Sequence, residues 1–153
     1  MRLVLAVFVL GAVLAGCGPV AGQPAGGDGG GGGGGAPVAN GAVPPGSTVY
    51  FGSAYDPTTF AVADKAGTAK VGAPIVAVGK ALAPVDGSDI KLQLTLNGQS
   101  KPLRAPDKMD NPSSASFFAS DLSKDNLTPG TWIVSFVNGN NRVIASGFLS
   151  VAP

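Results

Sequence analysis

Ile90-Lys91-Leu92-Gln93-Leu94-Thr95-Leu96 places an apolar side chain at every second position, and Asn97-Gly98 follows at once. A period of two fits a strand with one buried and one wet face; an amphipathic helix would repeat its apolar positions every three or four residues. Asn-Gly is the pair a type I′ hairpin turn favours, because both central residues need φ > 0. A second hairpin reads Thr131-Trp132-Ile133-Val134-Ser135-Phe136-Val137, then Asn138-Gly139-Asn140-Asn141, then the run from Arg142 to Val151. Trp132, Val134 and Phe136 share one face of its first arm. Working outward, 48–54, 59–63, 75–82, 101–104 and 114–119 carry weaker strand signals, bounded by Gly, Pro, Asn or Asp. Seven or eight short strands between residues 48 and 153, with no sustained helical period, predict a single all-β sandwich.

Composition limits the chemistry. The chain has 153 residues, 12% charged, with net charge +1, one Cys and no His, and all nine acids are Asp. Without His there is no Ser-His-Asp triad and no His-ligated zinc. One Cys allows neither an internal disulfide nor a CxxC pair. A net charge of +1 gives no electrostatic basis for nucleic acid as a partner. The residues imply no cofactor and no enzyme.

The first 17 residues form a different segment. A basic start at Arg2 precedes an apolar run from Leu3 to Leu14, shorter than the roughly 20 residues that span a bilayer. The run closes in Leu14-Ala15-Gly16-Cys17, which resembles the lipobox of bacterial lipoproteins. The resemblance implies a signal peptide over residues 1–16, recognised through Leu14, Ala15 and Gly16. It also implies acylation of Cys17, palmitate being one such chain, and a mature protein anchored outside the cytoplasm. Gly18 rather than Asp follows the Cys, which in diderm bacteria favours the outer membrane; in a monoderm the same anchor means the outer face of the cell membrane. Residues 17–47 follow as a linker, and 18–47 hold 13 Gly and 5 Pro, including an unbroken Gly29-to-Gly35 run. Such a composition predicts disorder, with a typical span of roughly 30 Å.

Leu127-Thr128-Pro129-Gly130-Thr131-Trp132 resembles the Leu-x-Pro-Gly-x-Tyr run into the penultimate strand of immunoglobulin-like and fibronectin-like domains. There the Tyr usually hydrogen-bonds back to the preceding connection. Trp132 stands in its place, with an indole N–H that can donate but without the phenol's geometry. Ala145-Ser146-Gly147-Phe148-Leu149-Ser150-Val151 is similar to the closing strand of small domains in many bacterial surface lipoproteins. The resemblance implies an immunoglobulin-like fold over residues 48–153 and little about function, since the fold hosts many roles.

Candidate sites are few. Ser88-Asp89-Ile90-Lys91 fits a Ser-x-x-Lys string, but a separation of three along a strand puts the two side chains on opposite faces. Asp86 with Asp89, Asp107 with Asp110, and Asp121 with Asp125 lie between predicted strands, where Asp serves turns; the same pairs are the candidates for calcium. Adjacent aromatics in a strand point to opposite faces, so one of Tyr50 and Phe51 and one of Phe117 and Phe118 are expected to face solvent and bind a partner. Any edge strand rich in β-branched residues is a further place for an extended partner to pair. The expected role is a non-catalytic binding or structural module of the envelope, with an envelope protein or glycan as partner and the membrane held through Cys17. The second role left open is an inhibitor or accessory subunit of an envelope enzyme or secretion complex.

Overall fold

The computed structural model describes residues 47–153. The signal segment with Leu14, Ala15, Gly16 and Cys17, and the linker up to residue 46, lie outside the described residues. The strands in chain order are β1 (Thr48–Gly52), β2 (Ala54–Tyr55), β3 (Val62–Ala63), β4 (Thr68–Lys70), β5 (Val76–Val85) and β6 (Lys91–Leu96). They continue as β7 (Gln99–Ser100), β8 (Lys108–Met109), β9 (Ala115–Asp121), β10 (Gly130–Val137) and β11 (Val143–Ala152), with one 3-10 turn at Leu122–Asp125.

Two sheets face each other. One runs β1-β5-β9-β8; the other runs β4-β11-β10-β6-β7, and a separate pair joins β2 to β3. All pairings are antiparallel except β4 with β11, where Thr68, Ala69 and Lys70 lie opposite Ser150, Val151 and Ala152. The period-two reading of 90–96 thus becomes a central strand, and Asn97 and Gly98 both take positive φ, 50° and 78°. Residues 101–104 do not form the strand expected of them: they contribute one isolated bridge, Leu92 to Arg104.

Both sheets send alternate side chains into one core. Phe51, Ala77, Ala81 and Phe118 come from the first sheet; Leu92, Leu94, Trp132, Val134, Phe136 and Leu149 come from the second. Phe118 and Phe136 are wholly buried and their ring centroids lie 5.4 Å apart. Gly79 on β5 makes room for this pair, since a Cβ there would stand 2.5 Å from Phe136 Cδ2. Burying each ring contributes about 1.5–3 kcal/mol relative to leaving it exposed.

The Pro-Gly run before β10 acquires a physical role. Gly130 sits at φ 143°, and a side chain there would meet Leu96 Cδ1 at 2.8 Å. Trp132 Nε1–H donates to the Thr128 carbonyl at 2.9 Å, so the indole makes a bond back to the preceding connection. The outward side of β6 is drier than alternation alone predicts. Gln93 and Thr95 are buried because β10 and β7 flank them, and the Thr95 and Ser100 hydroxyls lie 2.8 Å apart.

A second, smaller core forms outside the first sheet. The β2–β3 hairpin folds over it, carrying Phe60 onto Val78 and Ala119. Asp56 shapes the loop: its carboxylate accepts the N–H groups of Thr58 and Thr59 at 2.7 and 2.8 Å, and its carbonyl accepts the Phe60 N–H at 2.8 Å. Those N–H groups, Thr59 first, hold the Asp56 carboxyl below its usual range. Phe60 is driven to φ 58°. That conformation costs roughly 1–2 kcal/mol. Stacking on Tyr55 and Phe117, with centroids at 6.0 and 5.7 Å, offsets it.

Candidate functional site

The four aromatics singled out by sequence do not form one site. Alternation along β1 turns Tyr50 outward, 40% exposed, and sends Phe51 into the core. Along β9 it sends Phe118 inward and leaves Phe117 half-buried on the outer face. Phe51 and Phe118 are therefore corrected from partner-binding candidates to core residues, with one edge of Phe51 lining the groove described below. Phe117 is already engaged, between the Phe60 ring and the Lys80 ammonium 5.8 Å from its centroid. Of the four, Tyr50 is the most exposed.

Tyr50 borders a groove of about 450 Å³ at one edge of the sandwich. One wall is β1, from Thr48 to Phe51; the other is Gly147 and Phe148 of β11; Lys65, Ala66 and Gly67 close it where the chain crosses towards β4. The crossing is fixed by two bonds. Ala66 N–H donates to the Phe51 carbonyl at 3.1 Å, and Gly67 accepts the Ser150 N–H at 2.9 Å. Gly147 lets the sheets approach here, for a Cβ on it would stand 3.0 Å from the Val49 carbonyl oxygen and 3.2 Å from the Phe51 ring. Phe148, at 69% exposed, is a large apolar side chain in the open, and Ile133 lies directly opposite it on β10 at 39%. Lys65 is the one charged residue lining the groove, its Nζ 4.8 Å from the Tyr50 ring centroid.

Sequence reasoning missed Phe148 and Lys65. Phe148-Leu149 is the same kind of adjacent pair as Tyr50-Phe51, and the alternation that exposes Tyr50 also exposes Phe148. Lys65 carried no such signal, because the crossing that brings it to β1 is non-local.

Of the Asp residues in these pairs, Asp86, Asp107, Asp110, Asp121 and Asp125 are engaged by nearby donors. Asp86 accepts the Ser88 N–H and hydroxyl at 3.0 and 2.9 Å; Asp110 accepts the N–H groups of Asn111, Ser116 and Phe117. Asp121 caps the 3-10 turn through the Ser123 N–H at 3.0 Å. Asp107 and Asp125 instead belong to an ion network centred on Arg104. Its Nη2 lies 2.9 Å from Asp125 Oδ2 and donates to the Asp121 carbonyl, while Nη1 reaches Asp107 at 3.3 Å. Asp107 also accepts the Asp121 N–H at 2.8 Å and meets Lys124 at 3.2 Å. Burial pushes the Asp107 carboxyl up, but the Asp121 N–H, Lys124 and Arg104 together outweigh it and leave it below the usual range. For Arg104, burial disfavours the charge, and Asp125 and Asp107 more than restore it. The network fastens the 101–107 segment to the 3-10 turn. Among the described residues, no three His, Cys, Asp or Glu side chains converge where a metal ion could be held. A second depression, about 270 Å³, lies between the 70–75 segment and the turn before β10, walled by Ile75, Leu122, Leu127 and Val151. It presents no aromatic ring.

No protein-family model, curated protein or solved structure matches the chain.

Proposed function

We propose that this chain is a lipid-anchored envelope lipoprotein whose β-sandwich is a non-catalytic recognition module, with the β1–β11 groove as its contact surface. The anchor rests on the Leu14-Ala15-Gly16-Cys17 motif at the end of an apolar run. More than one acyl chain at about 0.8 kcal/mol per buried methylene holds a protein stably to a membrane. The observation that carries the recognition role is Tyr50 and Phe148 flanking one concave site, both on strands fixed by ladder pairing. Rings held by rigid elements supply contact area at little entropic cost.

We further assign the sandwich to the immunoglobulin-like type. Reading β1, β5, β9 and β8 as A, B, E and D, and β6, β10 and β11 as C, F and G, gives the A-B-E-D and C-F-G sheets of that fold, with β7 in the C′ place. The Trp132-to-Thr128 bond stands where the Tyr corner would be.

The test is chemical crosslinking in the intact envelope. A partner captured by the wild type and lost from Tyr50→Ser and Phe148→Ser variants, with localisation unchanged, is the expected result. A partner retained by both variants refutes the groove as the contact surface. Cys17→Ser should leave no mature-size protein in the detergent phase; its presence there would refute the anchor.

A further inference from the structure

β11 has two edges, and only part of the outer one is covered. Its inner edge pairs with β10 from Ala145 to Val151 and, past a bulge, at Val143. On the outer edge β4 pairs only with Ser150, Val151 and Ala152, and among the described residues no strand pairs that edge from 145 to 149. Backbone direction there follows from one bond. Ser150 N–H donates away from β10, to Gly67, so by alternation the N–H and C=O groups of Phe148 and Ser146 also point away from β10. Their side chains fit this register: Ser146 and Ser135 face each other with hydroxyls 2.9 Å apart, as in a non-hydrogen-bonded pair.

Such an edge is a hazard that folded proteins usually blunt with charge, proline or a covering element. Ala145-Ser146-Gly147-Phe148-Leu149 has neither charge nor proline. The bulge opposite Val137 falls before it and bounds the stretch. Beside this edge runs the groove, walled on its far side by β1 and the 65–67 crossing. Its one lining charge is positive, and Lys65 is paired with a ring rather than a carboxylate. A second copy pairing through this edge would bring Ala145-Ser146-Gly147-Phe148-Leu149 alongside it, a stretch with no acidic residue to meet Lys65.

We infer that the groove takes an extended peptide segment of a partner protein, which adds as a strand to β11 in line with β4 and carries an acidic residue towards Lys65. Main-chain bonds go to Ser146 and Phe148; alternate side chains of the peptide meet Phe148 and Tyr50. This is strand addition to an exposed edge, in which backbone bonds give affinity and alternate pockets give selectivity. It rests on the groove being the contact surface and specifies what the groove holds.

The test uses the full-length chain in detergent micelles, with displayed random heptapeptides as the probe. Enriched peptides are then synthesised with N-methyl groups on either the odd or the even amides. Strand addition expects alternating apolar positions with an Asp or Glu. One methylation register should lose about tenfold or more in affinity, and the other should bind as before. Lys65→Glu should weaken acidic peptides by a similar factor. Equal tolerance of both registers, or no enriched peptide, overturns the inference. A wild-type dimer in sedimentation that Phe148→Pro dissociates also overturns it, since the edge would then pair with a second copy. Failure of the two proposals can be told apart. If Phe148→Ser abolishes the envelope crosslink while both registers bind alike, the groove stands as contact surface and strand addition falls. If the crosslink survives Phe148→Ser and Tyr50→Ser, both fall.

Discussion

Gly79→Ala adds a single methyl group at a crowded point of the core. The new Cβ would lie 2.5 and 2.8 Å from two Phe136 ring carbons and 3.3 Å from a Phe118 ring carbon. Carbon atoms rest at about 3.5–4.0 Å, so the Phe136 ring must retreat by about 1 Å. It has nowhere to go, because it is fully buried and already packed on Phe118. Overpacking of this kind costs about 1–3 kcal/mol. Disturbing the aromatic pair forfeits up to about 1 kcal/mol more. Against this, replacing Gly restricts the unfolded chain and returns about 0.4–1 kcal/mol. The net is a destabilisation of about 2 kcal/mol, or roughly 10 °C in Tm for a domain of this size. Thermal and urea unfolding of the variant measure it. The double variant Gly79→Ala/Phe136→Leu isolates the cause: the smaller side chain should absorb the methyl group, giving a favourable coupling of about 1 kcal/mol or more. A single variant within 2 °C or so of wild type, or a coupling near zero, would refute the claim that Gly79 is required by the ring above it.

Trp132→Phe keeps a ring in the core but removes the donor to Thr128; it should cost about 1 kcal/mol from the lost bond, read by urea unfolding. Trp132→Ala should cost roughly 3–5 kcal/mol. Ser120 is fully buried with a hydroxyl that finds no partner, so Ser120→Ala should be neutral or raise Tm, and a clear fall in Tm would mean the hydroxyl is satisfied. Asp107 has a folded pKa below its unfolded value of about 3.9. The unfolded chain therefore binds more protons near that pH, and the stabilisation is present above it and lost as pH falls through the folded value. Asp107→Asn should flatten the acid limb of a stability-against-pH curve while leaving the region from pH 5 to 8 level; an unchanged acid limb would remove Asp107 from the account.

Much of the sandwich was legible because local rules and tertiary demands agree. The alternation in 90–96, the Asn97-Gly98 turn and the face shared by Trp132, Val134 and Phe136 each reappear in the structure. The two-residue strands β2, β7 and β8 were not predicted as such, since two residues carry no period, and of the strand expected over 59–63 only Val62–Ala63 forms, as β3. β4 was also missed: its three residues are held in place by pairing with residues some eighty positions away. Residues 101–104 read as a strand, but Arg104 turns to Asp125 and Asp121, and the ladder stops at one bridge. For the site, adjacency implied that one of Tyr50 and Phe51 and one of Phe117 and Phe118 turn outward, and the strand register decides which. What it could not supply was the Phe60 cover over Phe117, because an aromatic residue at positive φ violates local preference and is held there by its stacking partners.

The path of the first strands has a mechanical consequence. Among the described residues the chain enters one sheet as β1 and passes to the other as β4, where it lies parallel to β11. Tension applied at Ser47 loads the β1–β5 ladder first; once β1 is drawn off, the pull reaches β4 and draws it back towards its own beginning, while opposing tension at Pro153 draws β11 forward. The two then slide lengthwise past each other, so the bonds from Ser150 to Gly67 and from Val71 to Ala152 stretch at the same moment. A parallel seam loaded in this way yields all at once instead of opening rung by rung. A protein tethered at its amino end and gripped beyond its carboxyl end would hold firm up to a sharp threshold.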